Sequence, residues 1–195
     1  MTSVSALNHI HKTGLFGNHE NKNEENLLNV SEIKNLLIVQ IVQYKNSTIS
    51  FESLNIDSLN LRNEPLTVVF NNDTRILWNG PKNWLLVSTK KDLLKNISEV
   101  FKETDFAVTD LSHSRAIIEL EGQDTKEVLK KGCPFNFNIL EKNNSINSTY
   151  NGIAFTVDIL EDNPNKIRLF ALRSFGESFY HSITDACLEF GYKSL

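Results

Sequence analysis

The stretch RAIIELEGQDTKEVLKKGCP, Arg115–Pro134, decides how the rest of the chain is read. Its opening alternates. Ala116, Ile118 and Leu120 point one way while Ile117, Glu119 and Glu121 point the other, which predicts a half-buried β-strand. Asp124 and Glu127 then open a helix whose apolar face carries Val128 and Leu129, and Gly132 stands just past its end. Pro134 stops it, because a proline lacks the N–H that the next helical bond needs.

The same grammar extends in both directions. Upstream, NLLIVQIVQY, Asn35–Tyr44, is short and rich in β-branched residues and predicts a strand. TRILWNGPKNWLLVS, Thr74–Ser88, predicts two strands around a turn at Gly80 and Pro81. TKKDLLKNISEVFKE, Thr89–Glu103, predicts an amphipathic helix with Thr89 as N-cap, Asp92 three residues on, and Leu93, Leu94, Ile97, Val100 and Phe101 on one face. Downstream, the alternations in YNGIAFTVDIL, Tyr150–Leu160, and NKIRLFALRSF, Asn165–Phe175, predict a hairpin turning through EDNPN. Ser174 and Glu177 cap a final helix that carries Phe179, Tyr180, Ile183, Ala186, Cys187 and Phe190 inward and closes at Gly191. Cys187 is expected in the core.

This order of elements is α+β, in two related split-βαβ (ferredoxin-like) halves packed on each other, at about 31–105 and about 106–195 of one domain. Residues 1–30 are polar and without sustained period. They read as an extended arm that a partner surface orders through Leu7, Ile10, Leu15 and Phe16.

A chain of 195 residues buries roughly 70 per cent of its unfolded surface and needs no disulfide staples. Two cysteines, no leader-like start and no long apolar run imply a soluble, cytoplasmic protein. The net charge of −4 comes from acids and bases mixed along the chain, with no basic block for nucleic acid and no span for a membrane.

Candidate chemistry is sparse. Cys133 lies between Lys130 and Lys131, which favour a thiolate, and a helix C-terminus, which opposes one. Only His113 is a plausible base for it, so the thiol reads as structural. Asp110, Ser112, His113 and Arg115 invite a Ser-His-Asp reading, but neighbours on an extended segment point to alternate faces, whereas a triad converges from separate elements. His9, His11 and His19 lack the companion ligands of a metal site and read as solvated. The chain contains no GxGxxG, P-loop or CxxC motif. No catalytic, cofactor-binding or metal-binding residue is therefore assigned to it.

Three segments together resemble the gamma subunits of heterotetrameric sarcosine oxidase: LWNGPKNWLLVS, Leu77–Ser88; VTDLSHSRAIIELEGQDTKEVLKKGCPFNF, Val108–Phe137; and LRSFGESFYHSITDACLEFGY, Leu172–Tyr192. The shared features are Gly80-Pro81 ahead of Trp84-Leu85-Leu86, Asp110-Leu111-Ser112, Lys131-Gly132-Cys133-Pro134, and Asp185-Ala186 in the closing helix. The resemblance implies the aminomethyltransferase-like, folate-binding fold and a non-catalytic bracing subunit. The whole complex would convert sarcosine to glycine, with formaldehyde or methylene-tetrahydrofolate and hydrogen peroxide as further products. It also implies alpha, beta and delta partner subunits that carry FAD, FMN and NAD and bind tetrahydrofolate, with no cofactor on this chain.

Asp110-Leu111-Ser112-His113 also resembles the Asp-Val-Ser-His of that superfamily. Where aminomethyltransferases carry Gly-Gly-Ile-x-Asp-Asp, this chain has Asn151-Gly152-Ile153-Ala154-Phe155-Thr156, so both carboxylates are replaced. The rival reading is a stand-alone folate-binding one-carbon transferase or iron-sulfur-cluster-repair protein. Cys133 matches the cysteine of the repair branch, but Pro134-Phe135-Asn136-Phe137 departs from the pattern after that cysteine in the branch.

Overall fold

The computed structural model describes residues 4–195. The chain forms two compact units: one contains the chain up to Lys34, Ser114–Asn143 and Asn147–Leu195, the other Asn35–His113 with Asn144–Ile146. In chain order the elements are β1 Gly14–Phe16, β2 Leu28–Glu32, β3 Leu37–Gln43, β4 Asn55–Ile56, β5 Leu59–Asn60, β6 Val68–Phe70, β7 Thr74–Gly80, β8 Asn83–Ser88, α1 Leu93–Val100 and β9 Phe106–Asp110. They continue as β10 Arg115–Glu121, α2 Thr125–Lys130, β11 Ser145–Tyr150, β12 Ile153–Asp162, β13 Asn165–Leu172, α3 Gly176–Cys187 and β14 Tyr192–Ser194. The class is α+β, as the sequence predicts.

The second unit is built on an antiparallel sheet in the order β6-β7-β8-β3-β9. The turn at Pro81-Lys82 joins β7 to β8, with Lys82 in the left-handed region at φ 54°. Val39, Ile41, Leu86 and Trp84 on the sheet meet Leu93 and Ile97 from α1 and Phe101 just past its end in one apolar cluster. The rings of Phe101 and Phe106 contact edge to face at 5.1 Å. The Trp84 indole N–H, buried with its ring, donates to the Arg62 carbonyl at 2.6 Å, which offsets the cost of taking that donor out of water. The helix starts without the expected Thr89 cap. The Thr89 hydroxyl donates to Asp73 instead, and α1 is held by its buried face.

The first unit's sheet has the order β1-β14-β2-β10-β13-β12-β11. Cross-strand register places Ala116, Ile118 and Leu120 beside Ala171, Leu169 and Ile167, and these beside Phe155, Val157 and Ile159. Helix α3 lies on that face. Gly176 abuts Ala116, and Phe155 packs on Phe179 at 5.5 Å. Strand β10 departs from the half-buried expectation, because its other face is buried too: Glu119 is only 8% exposed. The reason is a counter-charge directly across the ladder. Arg168 on β13 grips one Glu119 oxygen with Nε at 3.1 Å and Nη2 at 2.8 Å, and Lys166 reaches the other at 3.1 Å.

Of the stretch expected as an arm, residues 1–3 lie outside the described residues, and residues 4–30 are woven into the first unit. Leu7 is fully buried, and a turn closes behind it, with the His11 N–H donating to the Leu7 carbonyl at 2.9 Å. Strand β1 pairs with β14, and β2 runs parallel to β14 and antiparallel to β10. Of the four expected anchors only Leu7 is buried: Ile10 and Phe16 are half-buried and Leu15 is exposed, and the other buried apolar residues of the segment are Leu27, Leu28 and Val30 at its far end. Burial of an anchor such as Leu7 contributes about 2–5 kcal/mol by the measure of truncating it.

Candidate functional site

The Asp-Leu-Ser-His segment closes on itself. Asp110 Oδ1 accepts from the Ser112 N–H at 2.9 Å and from its hydroxyl at 2.6 Å, while Ser112 Oγ accepts from the Ile38 N–H at 3.0 Å. The Leu111 N–H donates to the Ile38 carbonyl at 2.7 Å, so the segment ties the end of β9 to the start of β3. A triad needs an imidazole between the hydroxyl and the carboxylate. Here the Ser112 hydroxyl already donates directly to Asp110, and His113 is exposed at the turn. Arg115 is half-buried beside Ser114, its Nη1 at 3.2 Å from the Ser114 hydroxyl, and desolvation draws its pKa down from the usual guanidinium value.

Cys133 is 5% exposed, and its thiol donates to Ser148 Oγ at 3.1 Å. Neither flanking lysine is directed at it. Lys130 pairs with Glu127 one turn back. Lys131 reaches the C-terminal end of α3, where its ammonium donates to the Ala186 carbonyl at 2.8 Å, pairs with Glu189 at 2.6 Å and lies 4.6 Å from the centre of the Phe190 ring. That is a cation at a helix C-terminus, a favourable place for the macrodipole. Cys187 is in the core as expected, and burial pushes its thiol from 9.0 up to about 12 despite the positive charge of Lys131.

Gly132 has a different purpose from the one its position suggests. Its φ is not in the left-handed region, so it is not the usual glycine cap. The Tyr150 ring occupies the space that a Cβ would fill.

The two positions where the resemblance places folate-orienting carboxylates have other uses. Asn151 and Gly152 form the β11–β12 turn at φ 48° and 84°. Phe155 is buried against Phe179, and the Thr156 hydroxyl donates to Asn147 Oδ1 at 2.6 Å. One position is interior and aromatic. The other is a hydroxyl engaged within its own hairpin.

The histidines divide. His11 is half-buried rather than solvated, with Nε2 3.0 Å from Ser194 Oγ and its ring edge-on to Tyr180 at 5.6 Å. Desolvation lowers its pKa, against the pull of the Glu32 carboxylate. His9 is exposed, and His19 is half-buried in the turn after β1. Among the described residues no group of three or more His, Cys, Asp and Glu side chains is arranged to hold a metal ion. Among the same residues no helix is long and apolar enough to cross a membrane.

Sequence reasoning missed one constellation. In the row across β10, β13 and β12, Arg168 stands directly opposite both Glu119 and Asp158, all three of them on one sheet face. The signal was present as Glu119 and Glu121 on one strand and Lys166 and Arg168 on another, but it becomes a pairing only once the register is known.

No family model matches the chain. Sarcosine oxidase subunit gamma of Corynebacterium sp. (strain U-96) is 30% identical over 120 residues, which are 60% of this chain and 58% of that protein. The match therefore spans less than two thirds of that relative's length. Among solved structures, the heterotetrameric sarcosine oxidase from Corynebacterium sp. U-96, in complex with pyrrole 2-carboxylate, superposes with a TM-score of 0.77 at 21% identity, covering 96% of this chain and 95% of that one. The glycine cleavage system aminomethyltransferase T from Bartonella henselae superposes with a TM-score of 0.61 at 9% identity, covering 82% of this chain but 46% of that one. The chain resembles a sarcosine oxidase gamma subunit, and its α+β fold is the one that the oxidase and aminomethyltransferase structures share.

Proposed function

We infer that this chain is a non-catalytic subunit of a cytoplasmic sarcosine oxidase complex and braces subunits that perform the chemistry. One observation carries the reading: the chain corresponds almost end to end to a chain of a heterotetrameric sarcosine oxidase, whereas it corresponds to less than half of an aminomethyltransferase. The local geometry supports it. Ser112, Asp110, Cys133 and Thr156, the groups nearest to chemistry, are each engaged in a bond that holds the fold.

In such a complex sarcosine gives up two electrons and its methyl carbon, leaving glycine. The carbon departs as formaldehyde or on tetrahydrofolate, and oxygen takes the electrons as hydrogen peroxide. The flavins, the nicotinamide cofactor and the folate belong to the alpha and beta partners in this reading, with a delta subunit completing the assembly.

The test is co-expression with the neighbouring genes, capture through a tag on this chain, and mass spectrometry of the assembly beside an assay of sarcosine-dependent peroxide formation. The expected result is a stoichiometric complex with oxidase activity and a colourless chain when it is purified alone. A monomer that captures no subunit and binds tetrahydrofolate one to one would instead establish the stand-alone folate-binding reading.

A further inference from the structure

A cavity of about 310 Å³ opens within the first unit, between the turn after Leu7, β1, β14 and α3. Its interior is aromatic: Phe16 and Tyr192 stack at 5.2 Å, and Tyr180 adjoins them. Its remaining walls include three bases, His9, Lys12 and His181. The volume falls at the lower end of the range of small-molecule sites, and an apolar body with a few convergent polar groups is how such sites are lined.

The side chains that line the cavity include no acid, and Glu32, whose charge reaches Tyr180, is paired with Lys34 at 3.1 Å. Among the described residues neither Lys12 nor His9 has a side-chain hydrogen-bond or ion-pair partner. Among the described residues the His181 ring has only Glu177, at 4.0 Å, one turn earlier on α3 and itself exposed. Surface lysines are commonly free, but a free ammonium on the wall of an aromatic cavity sets the polarity of whatever enters. The apolar end of a ligand meets the rings, and a negative end meets Lys12 and His9.

We propose that this cavity is a binding site for a small aromatic carboxylate, its ring against Phe16 and Tyr192 and its acid group toward Lys12 and His9. A ligand with a neutral or cationic head would keep the apolar contacts and lose the charge pairing. The site lies entirely in the first unit, so its occupancy does not depend on the assembly inferred above.

The test uses three probes of one shape and different charge, indole-3-acetate, indole-3-ethanol and tryptamine, titrated into the full chain by calorimetry and followed by saturation-transfer NMR. Indole-3-acetate is expected to bind at least about tenfold more tightly than the alcohol, with tryptamine weakest. Lys12→Glu is expected to weaken indole-3-acetate by about tenfold or more and leave the alcohol unchanged, while Lys12→Arg retains binding. Both substitutions are on an exposed side chain, so the fold survives them. No binding by any probe, equal binding by all three, or an indifferent Lys12→Glu variant would each overturn the proposal.

Discussion

Tyr150 lies over Gly132 so closely that a Cβ at residue 132 would be 2.6 Å from its ring, and the Tyr150 hydroxyl donates to the Val128 carbonyl at 3.0 Å. One side chain thus seals the end of α2 twice, by filling the space above the glycine and by satisfying a carbonyl of the helix. Gly132→Ala forces the ring to move and is expected to cost about 1–3 kcal/mol. Tyr150→Phe keeps the ring, loses the bond and is expected to cost about 1 kcal/mol. Urea unfolding of the two variants checks the order; a Tyr150→Phe variant more damaged than Gly132→Ala would contradict it.

The N-terminal segment is expected to stabilise the isolated chain. Leu7→Ala removes a fully buried side chain from beside Gly176 and should cost about 2–5 kcal/mol. Deleting residues 1–20 removes Leu7 and β1 together and should lower the melting temperature further. A truncated chain that melts where the full chain does would show that the segment is dispensable for the fold.

Arg168→Met leaves Glu119 buried with only Lys166 for company, and removal of one partner from a buried pair costs about 3–5 kcal/mol. The double variant Glu119→Leu/Arg168→Met should recover part of that loss, since it removes the buried Glu119 charge together with its partner, while Asp158 across the ladder keeps its own. Equal stability of the single and double variants would mean that the pair is solvated in practice.

Ser112→Ala should cost about 1–2 kcal/mol of stability, through the lost bonds to Asp110 and Ile38. It should leave the turnover of an assembled oxidase within about twofold. A Ser112→Ala complex that assembles fully yet has lost its turnover would restore a catalytic role to the segment.

Alkaline pH should destabilise the chain. Burial raises Cys187 from 9.0 to about 12, and Tyr150 and Tyr192 from 10.0 to about 12. Below about pH 8 these groups are protonated in the folded and unfolded chain alike and add no pH dependence. Above it the unfolded chain releases protons that the folded chain keeps, so stability falls progressively toward pH 12. Melting curves between pH 8 and pH 11 read this directly, and Cys187→Ala should flatten the slope between pH 9 and pH 10.

The elements legible in the sequence were those specified by near neighbours along the chain. Alternation through Ala116, Ile118 and Leu120 marks β10, the Gly80-Pro81 turn marks the β7–β8 hairpin, and the spacing of Leu93, Ile97 and Phe101 marks the buried face of α1. The α+β class comes from their order. The place of Cys133 just past the end of α2 was legible as well, because the glycine and proline that flank it are local signals.

What only the tertiary structure decided depends on partners far away in the chain. Residues 4–30 read as an arm because their anchors have no period, and they acquire a place only when Tyr192–Ser194 supplies strand partners for both β1 and β2. Gly132 looked like a cap until Tyr150 was brought over it. Glu119 looked like a solvent-facing residue until the β10–β13 register set Arg168 opposite it. Burial of a charge or an isolated leucine is decided by what covers it, and the covering groups here come from distant parts of the chain, beyond the reach of any local pattern.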